Sequence, residues 1–352
     1  MSIVERVKTQ AVAWGDGLLP PGPVRDRAIA VAKRAGFDFV QATRAIDEHL
    51  LAHQLALSAA QQAAVTEALK EDFFGAQFDT PAEVENYLAS EAGAFDLYDH
   101  LTLRVARDRA TVIPWLDSIR PLAGLRVLEV GAGDGASTFA LAEQGAIVLA
   151  TDVNERSLKA NSERCRIAGL DGVSFATVNA DNLSSVAKPG EFDMITFYAA
   201  LEHMTFDERL AALEGAWNLL NRGGVLVVIE APNRLWYFDD HTSMSPFFLW
   251  LPDDLAARYA QYTPREVYNS TPHTDPVEFA RWGRGVSFHE FVLALGIPAD
   301  RLPVKSCLHE FLDLPRWRNH TRDGNYLRTL RRLAPNVPKG FFYAYLDIAL
   351  QK

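Results

Sequence analysis

Three glycines in the segment VLEVGAGDGAST, residues 127–138, are the first residues with chemical meaning. Gly131, Gly133 and Gly135 follow a short apolar run, and glycine allows a backbone turn that brings a ligand close to the main chain. The spacing fits G-x-G-x-G, and it also fits G-x-G-x-x-A, the relaxed form of the dinucleotide fingerprint. The glycines therefore predict a cofactor loop without naming the cofactor, and a purely structural turn remains the alternative.

Carboxylates near this loop separate the two interpretations. Glu129 lies at the end of the preceding apolar run, and Asp134 lies inside the loop. They would repel a pyrophosphate but attract a cofactor that carries a sulfonium and an ammonium group. Asp152 ends the next predicted strand, where a carboxylate can accept ribose hydroxyls, and Asp181 with Asn182 follows the third strand, where an adenine amine could bind. Acidic residues at consecutive strand ends favour the sulfonium cofactor.

Two histidines are candidate bases for the chemistry that a sulfonium implies. Its methyl carbon is electrophilic, so the expected reaction is an in-line methyl transfer, and a hydroxyl acceptor usually needs a base as well. His203 follows the fourth predicted strand and is the first candidate; His241 lies further along and is the second. Glu202 could orient His203 or join a divalent cation, but the sequence commits to no metal ligand. For both histidines, a loop-holding role is the alternative.

An aromatic stretch, residues 233–286, interrupts the alternation of strands and helices. We interpret it as a lid inserted after the fifth strand, with a partly apolar pocket for the acceptor. Trp236 and Tyr237 are its candidate substrate-binding residues. The alternative is that these rings form only the small core of the lid itself.

A basic segment near the C-terminus, residues 315–332, contains six arginines in an otherwise acidic chain. Guanidinium groups bind phosphate and carboxylate oxygens in a bidentate manner. Arg328 and Arg331 are therefore candidates for binding an oxyanion on the acceptor. A solvated helix face that pairs with acidic N-terminal helices is the alternative.

The elements that must position these residues form an α/β pattern. Residues 1–100 have Ala and Leu at helical spacing, and apolar runs then alternate with helical segments. Five predicted strands cover residues 125–131, 146–152, 173–181, 191–200 and 223–232. Such runs with helical crossovers indicate a doubly wound, Rossmann-like parallel sheet. Two more strands are expected near the C-terminus, the last of them at the sheet edge.

Composition limits the classes of protein that the chain can belong to. Its 352 residues are 48% hydrophobic, which is enough for a large core. The length predicts two parts, a helical region of residues 1–100 and an α/β domain of residues 101–352. The helical region could cap the site or form a homodimer interface. A net charge of −10 argues against nucleic acid as partner. No signal peptide or membrane span is evident, and two isolated cysteines suit the cytoplasm.

These segments resemble the successive motifs of class I S-adenosylmethionine-dependent methyltransferases. The resemblance is carried by VLEVGAGDG, TDV, NADNL, FDMITFYAALEHM and LLNRGGVLVVIEAPN, and it covers roughly residues 105–230. The run Leu201-Glu202-His203 is similar to the L-E-H of ubiquinone-type O-methyltransferases. The stretch 231–252 resembles an insert in a bacterial subgroup, whereas the first 100 residues show no recognisable resemblance.

The resemblance implies a set of cofactor contacts at the positions that match. Around the methionine part it places Glu129, Gly131, Ala132, Gly133 and Gly135. It assigns the ribose to Asp152, the adenine to Asp181 and Asn182, and the sulfonium to Phe197 and Tyr198. From its place beside Asp152, Val153 is also expected to pack against the adenine base.

The expected function is methyl transfer from S-adenosylmethionine to an O- or C-nucleophile of a small, partly apolar molecule. A specialised metabolite, a prenyl or quinone-like compound and a lipid-linked sugar all fit this description. A protein methyltransferase, a non-catalytic binding protein with the same fold and an NAD(P)-dependent oxidoreductase are the alternatives. The aromatic lid, together with the lack of an evident charged docking groove, favours the small molecule.

Overall fold

The computed structural model of the protein describes residues 54–317 and 320–352. The chain divides into two compact units, of which the first ends at Thr177 and the second begins at Val178. Helices predicted before residue 54 lie outside the described residues. Within the described ranges, no helix is both long enough and apolar enough to cross a membrane.

A series of helices precedes the first strand. The α-helices are α1 (Ala59–Ala68), α2 (Pro81–Ala89), α3 (Glu91–Tyr98), α4 (Arg104–Arg107) and α5 (Ile113–Ile119). Between them lie π-helical turns at Leu69–Phe73, Asp99–Leu103 and Asp108–Val112, and a 3-10 turn at Phe74–Ala76. Helix α2 begins at Pro81, where Thr80 and Glu83 form a capping box.

Three parallel strands complete the first unit. Its elements are β1 (Arg126–Val130), α6 (Ala136–Ala142), β2 (Ile147–Asp152), α7 (Glu155–Ala168) and β3 (Val173–Thr177). Strand β2 pairs in parallel with both β1 and β3, as predicted for consecutive βαβ units. Helix α7 begins at the side-chain cap of Asn154 and ends at Gly169, which adopts a left-handed conformation.

The helices before β1 pack onto α6 and α7 through one apolar cluster. Its fully buried members include Leu69, Phe74, Leu101, Val105 and Phe139. Burial of each such side chain stabilises the fold by about 1.5–3 kcal/mol. The N-terminal helices are therefore part of the core that supports the glycine loop.

Four strands and three longer helices frame the second unit. They are β4 (Phe192–Tyr198), α8 (Phe206–Leu219), β5 (Leu220–Pro232), α12 (Phe288–Leu295), β8 (Val304–Cys307), α14 (Arg322–Leu333) and β9 (Tyr345–Gln351). Strands β4 and β5 are parallel, whereas β9 is antiparallel to both β5 and β8. The prediction that the last strand forms the edge is wrong, since β9 lies between β5 and β8. Its almost continuous burial suits an interior strand, and the short β8 suits an edge.

The segment after β5 contains only short elements. They are β6 (Phe238–Asp239), β7 (Ser245–Pro246), α9 (Asp253–Tyr259), α10 (Glu266–Asn269) and α11 (Pro276–Arg281). Phe248, Tyr268 and Phe279 form a small core of their own within this insert. The last short helix, α13 (Leu308–Leu312), follows β8. A lid function for the insert remains a prediction.

Candidate functional site

The glycine loop turns from β1 into α6 with three residues in the left-handed region. Gly131, Gly133 and Gly135 have φ values of 78°, 50° and 85°, which a side chain would oppose. A Cβ at Gly135 would lie 2.3 Å from the side chain of Asn161, so internal packing requires this glycine. A Cβ at Gly133 would meet no described atom within 4 Å. The loop therefore leaves open space over Gly133, where a ligand can approach the main chain.

Asp152, at the end of β2, holds this loop. One carboxylate oxygen accepts the Gly133 amide at 2.9 Å, and the other accepts the Asn154 amide at 2.8 Å. Val153 beside it is 67% exposed, so its side chain is free to pack against a ligand. Within the first unit, the predicted ribose and adenine contacts thus lie directly next to the predicted loop.

Glu129 is fully buried beneath the loop. Its carboxylate accepts hydrogen bonds from the hydroxyls of Ser137 and Thr138 in the first turn of α6. Burial raises the pKa of Glu129 to about 7, although the two hydroxyl bonds oppose this rise. Glu129 therefore stabilises the strand-to-helix turn from inside, and its direct contact with a cofactor remains a prediction. Ala132, also predicted to contact the methionine part, donates its amide to the carbonyl of Thr151.

Asp134 is held by an arginine and a histidine rather than left free. One oxygen lies 3.1 Å from the Arg164 guanidinium and 3.2 Å from Nδ1 of His100. Burial opposes ionisation, but Arg164 and His100 hold the pKa of Asp134 well below its usual range. The loop is thereby pinned to α7 and to the N-terminal helices. The sequence alone predicts an unpaired negative charge at Asp134, and the ion pair with Arg164 corrects this expectation.

The second unit carries four further predicted cofactor residues. Asp181 and Asn182 are exposed in a 3-10 turn, Ala180–Ser185. Phe197 and Tyr198 end strand β4, and both side chains are buried. The structure thus places these residues after the strands where the sequence predicts them, and their contacts with a cofactor remain predictions.

His203, in the 3-10 turn Leu201–His203 after β4, is fixed in one tautomer. Its Nδ1 lies 2.7 Å from the carbonyl oxygen of Arg281. A carbonyl only accepts, so Nδ1 carries the proton and Nε2 keeps its lone pair. The Arg281 side chain also donates to the His203 carbonyl and forms two bonds of 2.6 Å with Glu208. Arg281 therefore holds His203 at two points, the ring nitrogen Nδ1 and the backbone carbonyl.

His241, in the insert after β5, has the same tautomer for a different reason. Its Nδ1 lies 2.9 Å from the hydroxyl oxygen of Thr242. That hydroxyl directs its single proton to the carbonyls of Trp282 and Gly283, each at 3.0 Å. It must therefore accept from Nδ1, which leaves a lone pair on Nε2 of His241.

Glu202 lies between the two histidines. Nε2 of His203 and Nε2 of His241 are each 3.8 Å from the same Glu202 oxygen. The glutamate is fully buried, and neither carboxylate oxygen has a hydrogen-bond partner in the described part of the chain. Burial raises the pKa of Glu202 to about 8 and lowers that of His241 to about 4. The structure thus brings all three predicted catalytic residues together, and such perturbed groups are typical of functional sites.

Arg209 on α8 holds the turn that carries this trio. Its buried guanidinium donates to the carbonyls of Leu201 and Met204, on either side of Glu202 and His203, and pairs with Glu290 at 3.1 Å. Sequence reasoning missed Arg209, Arg281 and Thr242. The partners of Arg281 and Thr242 include residues some forty to eighty positions away along the chain, so no local pattern marks them.

A cavity of about 360 Å³ opens at the two histidines. It is lined by His203, His241, Arg265, Glu278, Arg281 and Trp282. The four predicted substrate-binding residues are not among these. Trp236 is only 3% exposed and packs in an aromatic cluster with Tyr237 and Tyr326, while Arg328 and Arg331 are exposed on α14. A core role, already an alternative for the aromatic residues, accounts for the burial of Trp236.

Two residues with strained backbones lie at the carboxyl ends of β4 and β5. Ala199, directly after β4, has φ 46°, and Glu230, near the end of β5, has φ 60°. A positive φ costs conformational free energy for a residue that has a side chain, and residues strained in this way are frequent at functional sites. The Glu230 amide is held by a 2.6 Å bond to the carboxylate of Asp347 on β9. These constraints fix the ends of β4 and β5, from which the Glu202 turn and the insert begin.

Comparison with known proteins bears on the cofactor. A family model described as a methyltransferase domain matches residues 128–226. The ubiquinone biosynthesis O-methyltransferase of Ralstonia nicotianae is 34% identical over 64% of this chain and 83% of its own length. That of Methylococcus capsulatus is 32% identical over 46% of this chain and 62% of its own length, so the chain spans less than two thirds of this relative.

A solved structure gives only a weak likeness. Magnesium protoporphyrin IX methyltransferase from Synechocystis PCC 6803, with bound S-adenosylmethionine, is 21% identical and covers 51% of this chain and 80% of its own. Its TM-score to this chain is 0.36. The extended match to the Ralstonia relative is decisive, and it agrees with the glycine loop and with Asp152 at the end of β2. The chain belongs to the class I S-adenosylmethionine-dependent methyltransferases.

Proposed function

We propose that the protein transfers a methyl group from S-adenosylmethionine to an oxygen of a small, partly apolar, quinone-like acceptor. The observation that carries this proposal is the trio of Glu202, His203 and His241, because both imidazoles present an Nε2 lone pair at a cavity. The two relatives named as ubiquinone biosynthesis O-methyltransferases support this acceptor class.

The first unit supplies groups that suit the cofactor. S-adenosylmethionine, when bound, supplies a methyl carbon that is electrophilic because of the sulfonium. The open space over Gly133 suits the close approach of a ligand to the main chain, and Asp152 can accept ribose hydroxyls while it holds the Gly133 amide. Glu129 lies beneath the loop with a pKa of about 7, so above that pH its negative charge favours a cationic ligand.

The second unit supplies groups that suit a hydroxyl acceptor. Burial lowers the pKa of both histidines, so both are neutral near pH 7 and their Nε2 atoms can accept a proton. His203 is the first candidate base and His241 the second. Glu202, whose raised pKa of about 8 leaves it ionised above that pH, lies 3.8 Å from each Nε2, and its carboxylate would there stabilise an imidazolium that forms. A carbon nucleophile remains the second possibility for the acceptor atom.

Calorimetric titration with S-adenosylmethionine and S-adenosylhomocysteine tests the cofactor, with NADH measured alongside. We expect micromolar binding of the sulfonium compound and its product, and a loss of at least tenfold in Asp152→Ala. Asp171→Ala, an exposed aspartate outside the loop, is the matched control and should bind normally. Binding of NADH alone would overturn the proposal.

Methylation of a panel of hydroxylated quinone precursors tests the acceptor. His203→Ala and His241→Ala should lower kcat by about 10²–10⁴-fold if the residue acts as base, with unchanged affinity for S-adenosylhomocysteine. His289→Ala, an exposed histidine outside the cavity, should retain activity. Cofactor binding without transfer to any member of the panel, while a protein in the assay is methylated, would favour the protein-methyltransferase alternative.

A further inference from the structure

We infer that Glu202, His203 and His241 bind a divalent cation of the first-row transition series. A carboxylate oxygen and two imidazole nitrogens, all within 4.8 Å of one another, supply the ligands. The inference deepens the proposed function, because the acceptor oxygen would complete the coordination. Cation binding itself does not depend on which acceptor is used.

The spacing is close to that of a bound cation. Zinc–nitrogen and zinc–oxygen bonds of about 2.0–2.2 Å in a tetrahedral site separate neighbouring ligand atoms by roughly 3.4 Å. Each Nε2 is 3.8 Å from the Glu202 oxygen, and the ring centroids of His203 and His241 are 5.4 Å apart. Ligand shifts of well under 1 Å would therefore close the site.

The positions of the protons favour a cation over a hydrogen-bond network. Nδ1 of each histidine is already a donor, to Arg281 and to Thr242, so only lone pairs are directed at Glu202. This arrangement, in which an outer partner fixes the tautomer, is the usual one for metal-binding histidines. A single proton on Glu202 could serve only one histidine, and 3.8 Å is too long for a hydrogen bond. One cation satisfies all three groups.

The ligand types indicate which cations fit. Two imidazoles and one carboxylate suit Zn²⁺, Fe²⁺, Co²⁺ or Ni²⁺, whereas Mg²⁺ and Ca²⁺ prefer oxygen ligands only. Three protein ligands leave at least one coordination position open, as in catalytic zinc sites. His203 and His241 line the cavity of about 360 Å³, so the open position lies where a small molecule can enter.

Two arginines also line this cavity, and their charges must be considered. The Arg281 guanidinium is neutralised by its two bonds with Glu208. The Arg265 guanidinium donates to the backbone carbonyls of His241 and Thr242. Glu278 lies on the same wall and partly offsets the remaining positive charge. These groups therefore do not exclude a cation at Glu202.

Metal titration of the full-length, chelator-treated protein tests the inference. Zn²⁺ titrated by calorimetry, and Co²⁺ followed by its visible absorption, should each bind with one ion per chain, and Mg²⁺ should not compete. Glu202→Gln and His241→Ala should weaken Zn²⁺ binding at least 100-fold, and Thr242→Val should weaken it about 10–100-fold through loss of the outer contact. His289→Ala should bind like the wild type.

Absence of stoichiometric Zn²⁺ and Co²⁺ binding would overturn the inference, as would equal Zn²⁺ affinity in wild type and in Glu202→Gln. Circular dichroism and binding of S-adenosylhomocysteine show that each variant is folded. Failure of metal binding with intact cofactor binding and methyl transfer would leave the histidines as bases and the proposed function standing. Failure of cofactor binding would instead refute the proposed function.

Discussion

Glu129 should make the stability of the protein depend on pH in a predictable direction. The carboxyl group is fully buried beneath the glycine loop, and burial raises its pKa from the ordinary value of 4.5 to about 7. In the unfolded chain the group returns to its ordinary pKa. The folded state therefore holds this proton more tightly, so the free energy of unfolding must fall as the pH rises from about 4.5 through 7.

The size of the effect follows from the shift. About 2.5 pKa units correspond to about 3 kcal/mol, since one unit equals about 1.4 kcal/mol. This stability is present below pH 4.5, is lost progressively up to about pH 7 and does not return at higher pH. Glu129→Gln imitates the protonated form, so its unfolding free energy should lack this component of the pH dependence.

Urea denaturation of wild type and Glu129→Gln between pH 4.5 and 8.5 measures the difference. The two proteins should be equally stable near pH 4.5, and the variant should be more stable by about 3 kcal/mol at pH 8. Glu163→Gln is the control, because Glu163 is partly exposed on α7 and its pKa is lowered, so it should add no such difference in this range. A difference below about 0.5 kcal/mol at every pH would refute the reasoning from burial.

Four further outcomes are expected. Gly135→Ala should destabilise the fold through its clash with the neighbouring helix, whereas Gly133→Ala should fold at a cost of about 1–2 kcal/mol but bind S-adenosylhomocysteine at least tenfold more weakly by calorimetry. Arg209→Met should lower the unfolding free energy by about 3–5 kcal/mol in urea, because it leaves a buried carboxylate unpaired. If Arg328 and Arg331 bind an oxyanion of the acceptor, although they lie outside the cavity of the two histidines, their removal together should raise the KM for such an acceptor and leave cofactor affinity alone. An equal loss of both would contradict that role.

Much of the local architecture could be predicted because its signals are local. Three helices begin directly after Thr80, Thr205 and Ser287. Each of these residues has a Glu three positions later, which is the spacing of a capping box. The parallel strands β1, β2 and β3 follow from apolar runs that end at turns. Strand order near the C-terminus could not be read in this way, because the apolar pattern of β9 shows that it is buried but not which strands flank it.

The charge of Asp134 supports the cofactor assignment less than the sequence suggests. The sequence argument counted Asp134 as a free negative charge near the cofactor, yet Arg164 and His100 pair with it. Both partners lie about thirty residues away along the chain, so no spacing rule reveals them. The cofactor assignment survives because it also rests on Asp152, whose carboxylate does lie at the loop, and on the family match.

The insert after β5 supplies His241, one of the three residues of the candidate site. The sequence names His241 as the second candidate base, but it gives no sign that this loop histidine lies close to Glu202 and His203. In the structure its Nε2 lies 3.8 Å from the same Glu202 oxygen that faces His203, and Thr242 of the insert fixes its tautomer. A segment that only covered a substrate would need shape and apolar surface but no such oriented nitrogen. We therefore predict that the insert after β5 contributes a functional group, so that its replacement changes the reaction itself as well as access to the site.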